Sequence, residues 1–147
     1  MGKNRSLLDL EVIEKKLSEF DEYVLYLENI QNTLHLESFL EDTQQQWSVE
    51  HGLQLCIQMV IDLGSHILVS LNLNNIQDYS DVGKKLGKHG ILEAELSKRT
   101  VDMIKFRNLL VHEYVNVDPQ RVFEILKIGI SDFKEISQQI KSFILKL

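Results

Sequence analysis

Arg107, Asn108, His112 and Tyr114 stand close together in the stretch Arg107-Asn108-Leu109-Leu110-Val111-His112-Glu113-Tyr114. Imidazole titrates near neutral pH and can either take or give a proton. A guanidinium fork can grip two oxygens of a phosphate or carboxylate at once. An amide beside it can orient the fork or the bound anion, and a phenol adds a further polar group. These types together suit acid–base chemistry at a phosphate. Val101, Met103, Ile104 and Phe106 face several directions of the helical wheel, so the helix carrying Arg107 is expected to be buried on most sides. An unpaired guanidinium there would cost several kcal/mol, which leaves an internal carboxylate or an anionic ligand as its partner.

On an ideal helix Arg107 and Tyr114 share a face, whereas His112 lies about 140° away from Arg107. The three meet if the helix loosens at its end or if a second subunit contributes some of them. The plain alternative is a core histidine, a tyrosine with a buried hydroxyl bond, and an ion pair between Arg107 and Asp62. Asp62 belongs to the row Glu50, Gln54, Gln58, Asp62 and His66, spaced by four on one helical ridge. That ridge is either a wet outer face or the source of the carboxylate for Arg107.

The elements that must position these groups are helical. Ser6-Leu7-Leu8-Asp9 resembles a capping box opening a long helix, and Leu10, Ile13, Leu17, Phe20, Val24 and Leu27 repeat at three and four. The pattern breaks after Gln31-Asn32-Thr33. A second long helix is expected from about Asp42 to Leu71 on Val49, Leu53, Cys56, Val60, Leu63 and Ile67. Gly52 and Gly64 weaken it by roughly 1 kcal/mol each and allow close approach of a neighbour. After a polar connector from Asn72 to Tyr79, Asp81 to Lys88 fits two turns, punctuated by Gly83, Gly87 and Gly90. A third main helix begins near Leu92 and leads into the motif. Asp118-Pro119 then restarts the chain with an N-cap and a proline at the first helical position. Val122, Leu126, Phe133, Ile136, Ile140, Phe143 and Leu147 give the last seam, with Gly129 as its small position. No alternating β pattern, glycine-rich phosphate loop or repeat is present. The expectation is an all-α, antiparallel bundle of four to five helices in one domain over residues 1–147.

Length and composition agree. A chain of 147 residues with 44% hydrophobic and 26% charged residues can bury an ordinary core. Apolar runs reach four or five residues, so no membrane span is expected, and the start lacks the apolar segment of a secretory signal. The single cysteine, Cys56, fits a small core residue in a reducing cytoplasm. The net charge is −6, yet unevenly spread: residues 1–62 carry 4 Lys/Arg against 12 Asp/Glu, and residues 84–112 carry 7 against 3. An anionic ligand would feel that local basic field. No Glu-x-x-His pair exists for a bundle metal site, so neither a metal nor another cofactor is expected. A Ser-His-Asp hydrolase lacks its nucleophile elbow and its strands.

Arg107-Asn108-x3-His112-x-Tyr114 resembles the Arg-x4-His-x-Tyr signature of the HEPN superfamily. More closely, the chain is similar to the HepT-type toxins of minimal-nucleotidyltransferase toxin–antitoxin systems. The likeness takes in the Trp47-to-His66 helix with Leu53-Gln54 and Asp62, the Tyr79-to-Gly90 connector with Leu86 and His89-Gly90, and Met103-x2-Phe106 through Val117-Asp118. This resemblance implies a HEPN-like homodimer and a metal-independent endoribonuclease, with the motifs of both subunits lining one cleft. In that chemistry Arg107, His112 and Asn108 are the expected catalytic groups; the row register suggests Asp62 as support for Arg107, and the basic third suggests Lys84, Lys85 and Lys88 as guides for the RNA backbone. The resemblance further implies that Tyr114 receives AMP from a cognate nucleotidyltransferase antitoxin. A non-catalytic module that binds a nucleotide or such a transferase, and a purely structural dimer, are the alternatives.

Overall fold

The computed structural model describes residues 9–73, 75–112 and 117–147. Helix α1 (Leu10–Thr33) starts where Asp9 accepts a hydrogen bond from the Val12 amide at 3.2 Å. The Ser6 to Leu8 part of the expected capping box lies outside the described residues. A short α2 (Leu36–Glu41) follows. Helix α3 (Thr43–Ser70) is capped by Asp42, whose side chain accepts from the Gln45 amide. Helix α4 (Ser80–Lys88) is short, α5 (Ala94–His112) carries the motif, and α6 (Pro119–Leu145) begins with Asp118 as N-cap and Pro119 in the first turn. Four long and two short helices, with no strand among the described residues, bear out the all-α bundle. The addition to the expected set is α2, one turn and a half too brief to show a period.

The expected seams are buried. Ile13, Leu17, Phe20, Val24 and Leu27 of α1 meet Val122, Leu126, Phe133, Ile136 and Ile140 of α6 and the apolar face of α3 in one cluster. Phe20 and Phe133 meet edge to face, 5.8 Å between ring centres, and each fully buried ring stabilises the bundle by about 1.5–3 kcal/mol. Helix α3 packs against all five others. Its apolar face is wider than the single expected stripe, because Ile57, Ile61 and Leu68 are buried too. Among the described residues α3 is the one helix long and apolar enough to cross a membrane, and its central place in the core accounts for that composition. Cys56 lies in this core, and burial pushes its thiol up to about 12, so it is no nucleophile at neutral pH.

The placement of α4 depends on small residues. A side chain at Gly64 would put Cβ 2.6 Å from Val82 Cγ1 and 2.9 Å from Leu86 Cδ1, so α4 sits on α3 where only hydrogen fits. Gly83 faces Val101 and Gly87 faces Ser97, which sets α4 antiparallel to α5 and brings its first residues towards the last turns of α5. Ser97 Oγ donates to the Gly83 carbonyl at 2.7 Å within this contact. Gly90, at φ +72°, ends α4 in the left-handed region that glycine enters without strain.

Candidate active site

Helix α5 presents one exposed stripe: Glu95, Lys98, Asp102, Lys105, Leu109 and His112. Its remaining faces are buried or half-buried, as the sequence suggested. Arg107 is half-buried and turned towards α3, whereas His112 closes the exposed stripe. The helix stays regular through His112, so it does not loosen in time to bring the two side chains to one face. Within one chain they remain about 140° and five residues apart. Tyr114 lies outside the described residues.

Arg107 is held by amides. Its Nη2 donates to Gln58 Oε1 at 2.5 Å and its Nη1 to Asn108 Oδ1 at 3.2 Å. The direct Arg107–Asp62 pair, one of the two readings of the ridge, is absent. Gln58, one turn earlier on α3, stands between them and donates through Nε2 to Asp62 Oδ1 at 2.9 Å. Asp62 is exposed, so keeping its charge near water costs less than burying it against the guanidinium. It orients the amide that orients the arginine. Among the described residues no carboxylate reaches salt-bridge distance of Arg107, and its Nε is buried without a hydrogen-bond partner. Tyr79, the residue before α4, lies 5.3 Å from ring centre to the Arg107 Cζ. Gln58 and Tyr79 are the site residues that sequence reasoning did not single out. Gln58 shares the four-residue ridge with Asp62, which was a usable signal; Tyr79 sits in a polar connector with no period to mark it.

The ridge of α3 is not a wet face throughout. Glu50, Gln54, Gln58 and His66 are half-buried, and Asp62 is exposed. Burial raises the Glu50 carboxyl above its usual range. His66 Nε2 is buried with no hydrogen-bond partner among the described residues.

The lysines divide. Lys84 and Lys88 line an open groove between α4 and α5 together with Lys98, and Lys85 is not part of that lining. Lys84 lies 3.8 Å from Asp81 and Lys98 lies 3.5 Å from Glu95, both at the surface where such pairs are weak. Arg99 is withdrawn from the basic third altogether. Its Nε donates to the buried Asp132 at 3.0 Å and its Nη2 to Glu135 at 3.4 Å, clasping α5 to α6. Burial raises the Asp132 carboxyl even against the pull of Arg99, so desolvation is the larger effect on that carboxylate.

The model of the family "Ribonuclease HepT-like" matches residues 13–140. The chain belongs to the HepT-like ribonuclease family. A tRNA nuclease HepT of Aphanizomenon flos-aquae is 32% identical over 136 residues, covering 92% of each chain. An mRNA nuclease HepT of Shewanella oneidensis is 28% identical over 104 residues, 71% of this chain and 78% of that one. The tri-AMPylated HEPN toxin of Shewanella oneidensis, solved in complex with an MNT antitoxin, superposes with TM-score 0.80 at 24% identity over 89% of this chain and 97% of that one. The cytosolic protein YutE of Bacillus subtilis, of unknown function, superposes with TM-score 0.80 at 17% identity, covering 94% and 92%. At these identities the likeness to solved structures is one of fold, and the fold is that of HEPN toxins. The motif Arg107-x4-His112-x-Tyr114 falls inside the family match.

A cation held by neutral amides carries a thermodynamic signature. Arg107→Met should leave thermal stability unchanged or raise it, because an apolar chain of similar length loses no ion pair. A cation serving as one half of a buried salt bridge would instead lose about 3–5 kcal/mol on truncation. Calorimetry of the two proteins reads the difference.

Proposed function

We propose that this chain is a metal-independent endoribonuclease that acts as the toxin of a toxin–antitoxin pair. The observation that carries the reading is the Arg107 guanidinium, oriented by Gln58 and Asn108 yet matched to no carboxylate among the described residues, within the family motif. Such a group is ready for a phosphodiester anion. In the proposed reaction His112 takes the proton of the ribose 2′-hydroxyl, and O2′ attacks the adjacent phosphorus. A second imidazole gives a proton to O5′ as the P–O5′ bond breaks, leaving a 2′,3′-cyclic phosphate and a 5′-hydroxyl. Arg107 binds the non-bridging oxygens, on which negative charge grows in the transition state. Asn108 and Gln58 hold the fork, and Asp62 fixes Gln58. Lys84 and Lys88 steer the RNA backbone through salt-sensitive contacts.

A homodimer completes the site in this proposal. Arg107 and His112 face apart on one regular helix, so a second copy is the economical source of the missing imidazole. The surface supports this. Leu109 is 49% exposed on the same stripe as His112, and Ile128 of α6 is 60% exposed beside an apolar groove lined by Met103, Phe106 and Ile125. Apolar side chains left open at the end of the catalytic helix suit a face covered by its own copy. The relatives' names include both tRNA and mRNA nucleases, so RNA is the substrate class proposed. The fold neighbour that carries AMP and an MNT partner supports a cognate nucleotidyltransferase as antitoxin, with Tyr114 as acceptor. An adenylate phosphodiester there would bring a fixed anion to the motif and exclude RNA by occupation and repulsion. The setting proposed is the cytoplasm, where RNA and such a partner meet.

His112→Ala should lower cleavage of total RNA by at least about a hundredfold, the usual worth of a general acid–base group. Excess EDTA should leave wild-type cleavage intact. Equal cleavage by the variant, or loss with EDTA, would sink the mechanism, and RNA binding without cleavage would favour the non-catalytic module. Leu109→Lys should give a monomer by light scattering with helical content unchanged and cleavage lost; an active monomer would contradict the shared site. Co-expression with the cognate transferase should add AMP mass to the peptide that holds Tyr114, and Tyr114→Phe should abolish the addition.

A further inference from the structure

A ribonuclease site must hold the nucleoside as well as its phosphate, and the residues assigned so far deal with the phosphate and the protons. Tyr79 is the unassigned aromatic at this place. It contacts the Arg107 guanidinium through its ring, at 5.3 Å, and still leaves 48% of its surface open. The arrangement of α4 explains how it gets there. With Gly87 against Ser97 and Gly83 against Val101, the antiparallel run of α4 along α5 carries Tyr79, the residue just before it, to the turn that bears Arg107. From Tyr79 the chain then leads to Lys84 and Lys88, which share their groove with Lys98. Lys98 lies nine residues before Arg107, about 13 Å along α5. A cation and an open aromatic ring in contact offer a nucleotide partners for its two recognisable parts, a charged phosphate and a flat base.

We propose that Tyr79 is the nucleobase platform of the site, stacking the base next to the phosphate that Arg107 holds and sending the strand along the Lys84, Lys88 and Lys98 groove. The assignment deepens the ribonuclease reading and rests on it. Stacking on an aromatic ring tolerates every base, because each has a flat π face, so the platform serves position more than sequence choice. Contact with the guanidinium leaves the ring steady, so little side-chain freedom is lost when a base arrives.

The experiment measures affinity by fluorescence anisotropy for two probes at low salt. One is a short single-stranded oligoribonucleotide with 2′-O-methyl ribose throughout, which cannot be cleaved. The other is the matching abasic 2′-O-methyl ribose–phosphate chain. Tyr79→Leu should bind the base-bearing probe about tenfold more weakly than wild type, the order of one base–aromatic stack, and bind the abasic chain as wild type does. Tyr79→Phe should restore the base-bearing affinity. Equal weakening on both probes would show that Tyr79 acts through Arg107 alone and overturn the proposal, as would no weakening on either. Wild type that binds and cleaves RNA while Tyr79→Leu matches it on both probes sinks the platform and spares the ribonuclease. Wild type that neither binds nor cleaves RNA sinks both. Circular dichroism of the half-exposed position's variants confirms that each is folded.

Discussion

The hydrogen bond between Gln58 and Arg107 is the contact on which the site depends. It joins the central helix to the motif helix through a neutral acceptor, so the guanidinium is fixed in direction by a group that does not cancel its charge. An aspartate in place of that amide would form a stronger pair and would also satisfy the cation from inside. The amide does the opposite: it spends one lone pair on Arg107 and turns its own N–H groups to Asp62, which keeps the full charge at the water boundary. The resulting relay orders three side chains in a row and leaves the guanidinium with no carboxylate partner among the described residues. Its buried, unpartnered Nε is a stability cost accepted at one place.

That cost is tolerable because α3 does two tasks on opposite sides. Its apolar face meets every other helix, and its polar ridge supplies the relay. A helix so thoroughly packed has little freedom to rotate, so the Gln58 amide is placed with the rigidity of the core. The glycines extend this rigidity outward. Without a side chain at Gly64, α4 lies close enough to α3 for Tyr79, the residue just before it, to reach Arg107, and contacts at Gly83 and Gly87 hold the register against α5. Core packing and site geometry are therefore one arrangement seen at two ends of the same helices.

Much of this was legible in the residues. The three-and-four spacing on α1, α3 and α6 marked the buried seams, and Asp42, Asp118 and Pro119 marked true helix starts. The motif singled out Arg107, Asn108 and His112, and the structure puts the first two in hydrogen-bond contact and His112 on the exposed stripe. What the residues could not convey was partner choice. Gln58 and Asp62 lie one turn apart on the same ridge, and periodicity cannot say which of them a helix crossing angle brings to Arg107. Charge favoured Asp62, but water reaches that position, so the neutral residue nearer the core made the contact. Arg99 shows the same limit from the other side. It counted as part of a basic field by sequence, yet Asp132 and Glu135 on α6, more than thirty positions away, take it up.

Removing Arg99 from the field changes how an anion would see the surface. Of the six other cations between residues 84 and 112, Arg107 faces α3, Lys84, Lys88 and Lys98 line the groove between α4 and α5, and Lys85 and Lys105 stand outside both. Arg107 sits where Tyr79, just before α4, meets the last turns of α5, and the groove runs from there towards the start of α5. The first 62 residues bear 12 acidic groups against 4 basic ones, which gives that part of the surface a field that repels a polyanion. A chain of net charge −6 thus keeps a local excess of cations on one side of an acidic molecule. Loose electrostatic binding over the whole molecule would slow the search for a scissile phosphate, whereas an acidic body with a narrow basic edge leaves the strand few places to settle. The motif helix ends near that edge, with His112 on its open stripe.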